Sequence, residues 1–149
     1  MLKKSAILHD IGKIGISDKI LQKDGKLSDE EFAEIKRHPV IGANIVQQVQ
    51  GFTDMDAVIE GIMFHHERYD GRGYPKGISG DTIPLFGRII AVADAFDAMT
   101  SNRPYRRGMA FDKALTIIEN GRGSQWDPEF ASIFVELMRE PVNVQKVIS

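Results

Sequence analysis

Apolar residues recur along this chain at helical spacing, and the breaks between the periodic stretches carry polar and glycine-rich segments. Residues 2–8 read as the tail of a helix entered in mid-pattern. Ser28-Asp29-Glu30-Glu31 is a capping box, followed at mostly helical spacing by Phe32, Ile35, Val40 and Ile41. Residues 54–67 predict a further helix, with Val58 and Ile62 on its face and His65-His66 near its end. An Ala-rich helix is expected over 84–99, its small residues permitting close packing, and a short one over 110–120. Asp127-Pro128 supplies an N-cap and a first-turn proline for a last helix ending near Met138. With no convincing strand pair and no internal repeat, the expectation is an all-α helical bundle in one domain.

Two segments lack helical period. Residues 68–83, RYDGRGYPKGISGDTI, cluster glycines, and 100–108, TSNRPYRRG, carry three arginines. The length of 149 residues fits one domain with a sizeable core, and 42% hydrophobic and 27% charged residues are ordinary for a globular protein. A net charge of −2 argues against a generic binder of DNA or RNA, so any affinity for phosphate must come from local clusters or bound cations. The absence of cysteine excludes disulfides, thiolate metal sites and a cysteine nucleophile. No apolar run reaches membrane-spanning length and the N-terminus is no secretory signal, which predicts a soluble, cytoplasmic chain without membrane insertion.

The candidate chemistry lies in four histidines, His9, His38, His65 and His66. A lone histidine such as His38 is more often a core or surface residue than a ligand, but here all four fall in clusters. His9 adjoins Asp10, and His65 adjoins His66. Neighbours on a helix point about 100° apart, so one ion would struggle to take both members of a pair while two ions could take one each. Two dications about 3.7 Å apart repel by roughly 18 kcal/mol at an effective dielectric near 20, which calls for bridging anions. Asp10 and Asp94 are the natural carboxylate candidates. Imidazole and carboxylate without sulfur suit Fe, Mn, Ni or Zn. Lys13 stands close to one helical turn after Asp10; as an isolated feature it would read as a solvated lysine.

HDIGK at 9–13, HPVIG at 38–42, HHERYDGRGYP at 65–75 and DAFDAMTSNRPYR at 94–106 occur in the order of the HD-GYP signatures. From about residue 5 to 137 the sequence resembles that family, an all-α subgroup of the HD phosphohydrolases. The resemblance implies a helical bundle of the HD-domain type with a glycine-rich GYP loop, and a binuclear or trinuclear centre, usually of iron or manganese. Carried over position by position, it implies His9, Asp10, His38, His65, His66 and Asp94 as metal ligands, with Asp10 bridging. It further implies Lys13 at the scissile phosphate, Arg103 and Arg106 as phosphate contacts, and Tyr74 in the nucleotide pocket. Guanidinium suits that task because its planar donors engage phosphoryl oxygens in pairs. Glu67, Asp70 and Asp97 are expected to support the site without ligating.

The activity implied is hydrolysis of cyclic di-GMP to the linear dinucleotide or GMP by a metal-dependent phosphodiesterase. Two rivals stand beside it: an HD phosphohydrolase for another nucleotide or phosphoester, and a catalytically impaired module that binds cyclic di-GMP or a protein. The resemblance also implies an upstream receiver or sensory domain, or a regulatory protein, as partner. HD domains usually carry a further helix with a histidine some 30 residues before the HD pair. This sequence starts eight residues before His9, so the domain, read as 1–149, is expected to lack that helix. Ile7 and Leu8 are then expected to meet a partner or a second copy, as in a homodimer. No phosphate-binding Walker loop or dinucleotide fingerprint is present, so ATP or NAD chemistry has no support.

Overall fold

The computed structural model describes residues 1–49, 55–102 and 107–140. Among them run eight α-helices: α1 Leu2–Leu8, α2 Asp18–Leu21, α3 Asp29–Ile35, α4 His38–Gln47, α5 Asp56–Phe64, α6 Leu85–Thr100, α7 Phe111–Asn120 and α8 Pro128–Arg139. Turns of 3-10 helix cover Ile11–Gly15 and Gly80–Thr82. The described residues contain no strand beyond an isolated bridge between Arg122 and Trp126, so the fold is all-α, as expected.

Side-chain capping sets the starts of two helices. At α3 the Ser28 hydroxyl accepts from the Glu31 amide at 3.2 Å and the Glu31 carboxylate accepts from the Ser28 amide at 2.7 Å, the reciprocal pair expected of a capping box. At α8 the Asp127 carboxylate accepts from the amides of Glu129 and Phe130, with Pro128 in the first turn. The Asp127 carboxylate also receives Arg88 Nη1 at 2.8 Å, which fastens α6 to the start of α8.

One expected element divides in two. The apolar pattern from Phe32 to Ile41 reads as continuous, yet α3 stops at Ile35 and α4 starts at His38. Pro39 explains the break, because in a continuous helix it would clash with the Ile35 carbonyl and offer it no N–H. Phe32 consequently faces outward, 47% exposed, rather than joining the core.

Apolar side chains gather in two clusters. Val92, Phe96, Leu115, Ile118, Trp126 and Val135 join α6, α7 and α8. Ala43, Val46, Met55, Val58 and Ile62 join α4 and α5, with Leu8 and Ile11 packed against them. Leu8 is thus partly covered within the chain, whereas Ile7 is 70% exposed. Ser5, fully buried, donates to the Val58 carbonyl at 3.1 Å and ties α1 to α5. None of the helices described is long and apolar enough to cross a membrane.

Candidate metal centre

Three of the four histidines sit where a helix runs out. His9 follows α1, His65 follows α5, and His38 opens α4 directly after the end of α3. The last carbonyls of a helix have no intrahelical donor. Each of these rings uses one: His9 Nδ1 lies 2.6 Å from the Ala6 oxygen, His38 Nδ1 2.7 Å from Ile35, and His65 Nδ1 2.7 Å from Ile62. A carbonyl can only accept, so each Nδ1 carries the proton and each Nε2 presents a lone pair. For His38 the available carbonyl is the one Pro39 cannot bond.

The three Nε2 atoms converge. His38 Nε2 is 3.4 Å from His65 Nε2 and 3.3 Å from Asp10 Oδ1. His9 Nε2 is buried without a hydrogen bond, 3.4 Å from Asp94 Oδ1 and 3.5 Å from Asp10 Oδ2. Asp10, His38, His65 and His66 offer ligand atoms all within 4.8 Å of one another. The angular objection to one ion using both His65 and His66 does not apply, because both lie in the turn beyond α5 and not within it. Gly12 makes the approach of Asp10 to His38 possible: a side chain there would run into the His38 carbonyl and the Gly42 amide.

Burial and charge prepare these groups to hold a cation. Burial, then the charge of His66, pushes His65 down to about 3; burial, then His38, pushes His66 down to about 4. Both rings are therefore neutral at ordinary pH. Burial pushes Asp10 upward, but the neighbouring His38 ring and the Lys13 ammonium outweigh it and hold the carboxyl well below its usual range. Burial pushes Asp94 upward too, but His9, with His66 and His65, outweighs it and lowers the carboxyl, and the Asp94 carboxylate in turn raises His9. Two imidazole lone pairs facing each other at 3.4 Å, with carboxylates beside them, are reconciled only by a positive charge between them. Protonation of His65 at neutral pH is disfavoured, so the donor set fits a metal ion.

Lys13 Nζ donates to Asp10 Oδ2 at 2.5 Å, on the half-open side of the cluster. Tyr74 stacks on His66 with ring centroids 4.7 Å apart. The loop bearing it is clasped by Glu67, whose buried carboxylate accepts from the Lys76 and Gly77 amides at 2.7 and 3.1 Å. Further anchors run from the Tyr69 and Asp70 amides to the Gln125 and Ser124 carbonyls. Asp70 pairs with Arg68 through two hydrogen bonds, and Asp97 accepts from Ser101. Arg103 and Arg106 lie outside the described residues. A pocket beside His66 also draws on Phe32, which the sequence pattern assigned to a helix face, and on Lys36, Arg72 and Gln125, which it did not single out; the Phe32–Lys36 spacing of four was the available signal.

The sequence profile of the HD domain matches residues 1–130. The chain belongs to the HD-domain family. Its motifs place this HD domain in the HD-GYP type. It is 46% identical over 129 residues to the cyclic di-GMP phosphodiesterase response regulator RpfG of Xanthomonas campestris, covering 86% of the chain and 34% of that protein. It is 44% identical over 133 residues to a 3'3'-cGAMP-specific phosphodiesterase of Vibrio cholerae, covering 89% of the chain and 28% of that protein. The HD domain spans about a third of the length of the curated relatives it matches. A crystal structure of a cyclic GMP-AMP specific phosphodiesterase from Vibrio cholerae superposes with a TM-score of 0.69 at 21% identity, over 94% of this chain and 38% of that one, and shares its fold. Membership in the HD-domain family agrees with divalent metal binding by the His/Asp cluster.

Proposed function

We propose that this chain is a metal-dependent phosphodiesterase that hydrolyses cyclic di-GMP. The observation that carries the reading is the position of Asp10, with one oxygen toward His38 and the other toward His9 and Lys13. A carboxylate so placed joins two donor sets, His38 with His65 and His66 on one side and His9 with Asp94 on the other. Asp10 would contribute to both sets if two ions were held there, and iron or manganese is proposed as the metal from the family resemblance. When bound, such cations withdraw charge from phosphoryl oxygens and lower the pKa of water.

The chain's own groups supply the rest. The carbonyl-anchored histidines keep their Nε2 atoms aimed inward, and Tyr74 covers the His66 face. Lys13 is read as the group that meets the scissile phosphate. In the reaction the oxygen of water joins phosphorus and a proton of that water passes to solvent, the bond from phosphorus to the ribose oxygen breaks, and that oxygen leaves protonated. Lys13 stands where an ammonium can give the proton. Arg103 and Arg106 are proposed as phosphate contacts, and a receiver or sensory domain as the source of the input signal.

The test is anaerobic loading with iron or manganese, followed by chromatography of products from cyclic di-GMP. Release of linear dinucleotide or GMP, abolished by chelation, supports the proposal; no release by protein carrying a full metal complement overturns it. A second reading, 3'3'-cGAMP as substrate, is favoured by the 44% identity to a relative specific for it. The ratio of kcat/KM for the two cyclic dinucleotides decides between them.

A further inference from the structure

Next to the metal cluster, on the far side of His66, lies a pocket of about 320 Å³ walled by Phe32, Lys36, Arg68, Arg72, Tyr74 and Gln125. Every charged residue in that wall is a cation, in a chain whose net charge is −2. Arg68 is committed to Asp70 through bonds of 3.0 and 2.6 Å, which leaves Lys36 and Arg72 to meet an anion. Lys36 Nζ stands 5.0 Å from the centre of the Phe32 ring, and that ring is 47% exposed. An exposed aromatic face next to cations suits a nucleotide, whose base stacks while its phosphate is met by charge.

We infer that this pocket holds the second nucleotide of the substrate, its base on Phe32 and its intact phosphate at Arg72 and Lys36, while the other phosphate lies at the metals. The inference rests on the reading of the substrate as a cyclic dinucleotide and adds where its far half sits. His66 and Tyr74 form the shared wall, so a ligand with two phosphates can reach both places. A larger pocket of about 500 Å³ opens beyond Phe32 but suits a phosphate less well. Its two lysines are already paired, Lys13 with Asp10 and Lys23 with both oxygens of Glu31, and its other residues are mostly apolar.

The test is equilibrium binding of cyclic di-GMP to the whole chain in EDTA, where the side chains named act without metal and turnover is blocked. Phe32→Ala and Arg72→Ala, both at exposed positions, are compared with wild type and with Lys113→Ala on the outer face of α7, each checked for helical content. We expect about 10-fold weaker binding for the first two variants, the typical loss on removing a stacking platform or a phosphate contact, and no change for Lys113→Ala. Wild-type affinity in both variants, or no binding by metal-free wild type, overturns the assignment. Manganese-loaded turnover separates it from its parent: turnover with unaltered binding in the variants removes only the pocket. Binding that the variants weaken, without turnover, keeps the pocket and removes the hydrolytic reading.

Discussion

His38 and His65 face each other nitrogen to nitrogen at 3.4 Å, although each ring has committed its other nitrogen to a backbone carbonyl. Such a contact is repulsive until a cation divides it. Addition of manganese to metal-free protein is therefore expected to raise the thermal midpoint. At a hundredfold excess over Kd the gain is about 2.7 kcal/mol. His65→Ala should reduce the manganese-dependent rise, as followed by calorimetry.

The break before α4 orients a ligand, which makes Pro39 a positioning residue. With Pro39→Ala, position 39 gains an N–H that competes with the His38 ring for the Ile35 carbonyl. Metal affinity should fall on the order of 10-fold, the usual effect of disturbing a ligand's outer partner, while helical content is kept. Isothermal titration with manganese measures it; unchanged affinity would show that the ring needs no such anchor.

Lys13 touches the cluster only through Asp10 Oδ2. Lys13→Met should leave metal content intact and lower kcat by about 10²–10⁴, the range for losing a general acid. Metal analysis beside steady-state kinetics checks both halves. A parallel loss of metal would place the lysine among the groups that build the centre.

Glu67 is 3% exposed and joins the turn after His66 to the loop beyond Tyr74. Glu67→Ala leaves the Lys76 and Gly77 amides without their partner, at a cost of about 1–3 kcal/mol each if they stay buried. The denaturant midpoint should drop accordingly. Glu67→Gln, whose amide oxygen can still accept, should recover part of it.

Acid should destabilise the metal-free fold in a defined window. His65 and His66 titrate at about 3 and about 4 in the fold, both pushed down first by burial, against an ordinary value of 6.5. Between those limits the unfolded chain binds more protons than the folded one, so stability is full above pH 6.5 and is lost as pH falls toward 4. His9, raised by Asp94, works in the opposite sense, adding stability below pH 6.5 that is lost as pH rises through its folded value. With two groups against one, the urea midpoint in EDTA should be lower at pH 5 than at pH 7. A midpoint that rises on acidification would contradict the burial of the pair.

The sequence alone pointed to the histidine and carboxylate candidates and to most of the helical segments, because capping and apolar spacing act over a few residues. Ser28 with Glu31, and Asp127 with Pro128, fixed helix starts that hold in the fold. The same local logic misjudged the stretch from Phe32 to Ile41, where Pro39 divides the helix and turns Phe32 outward. Only the tertiary structure decided that His9, His38 and His65 each borrow a helix-end carbonyl, that Asp10 lies between two donor sets, and that Phe32 and Arg72 share a pocket. Each carbonyl lies three positions before its histidine, but the last two relations join residues tens of positions apart. They follow from how α1, α4, α5 and α6 pack, and no local spacing encodes that.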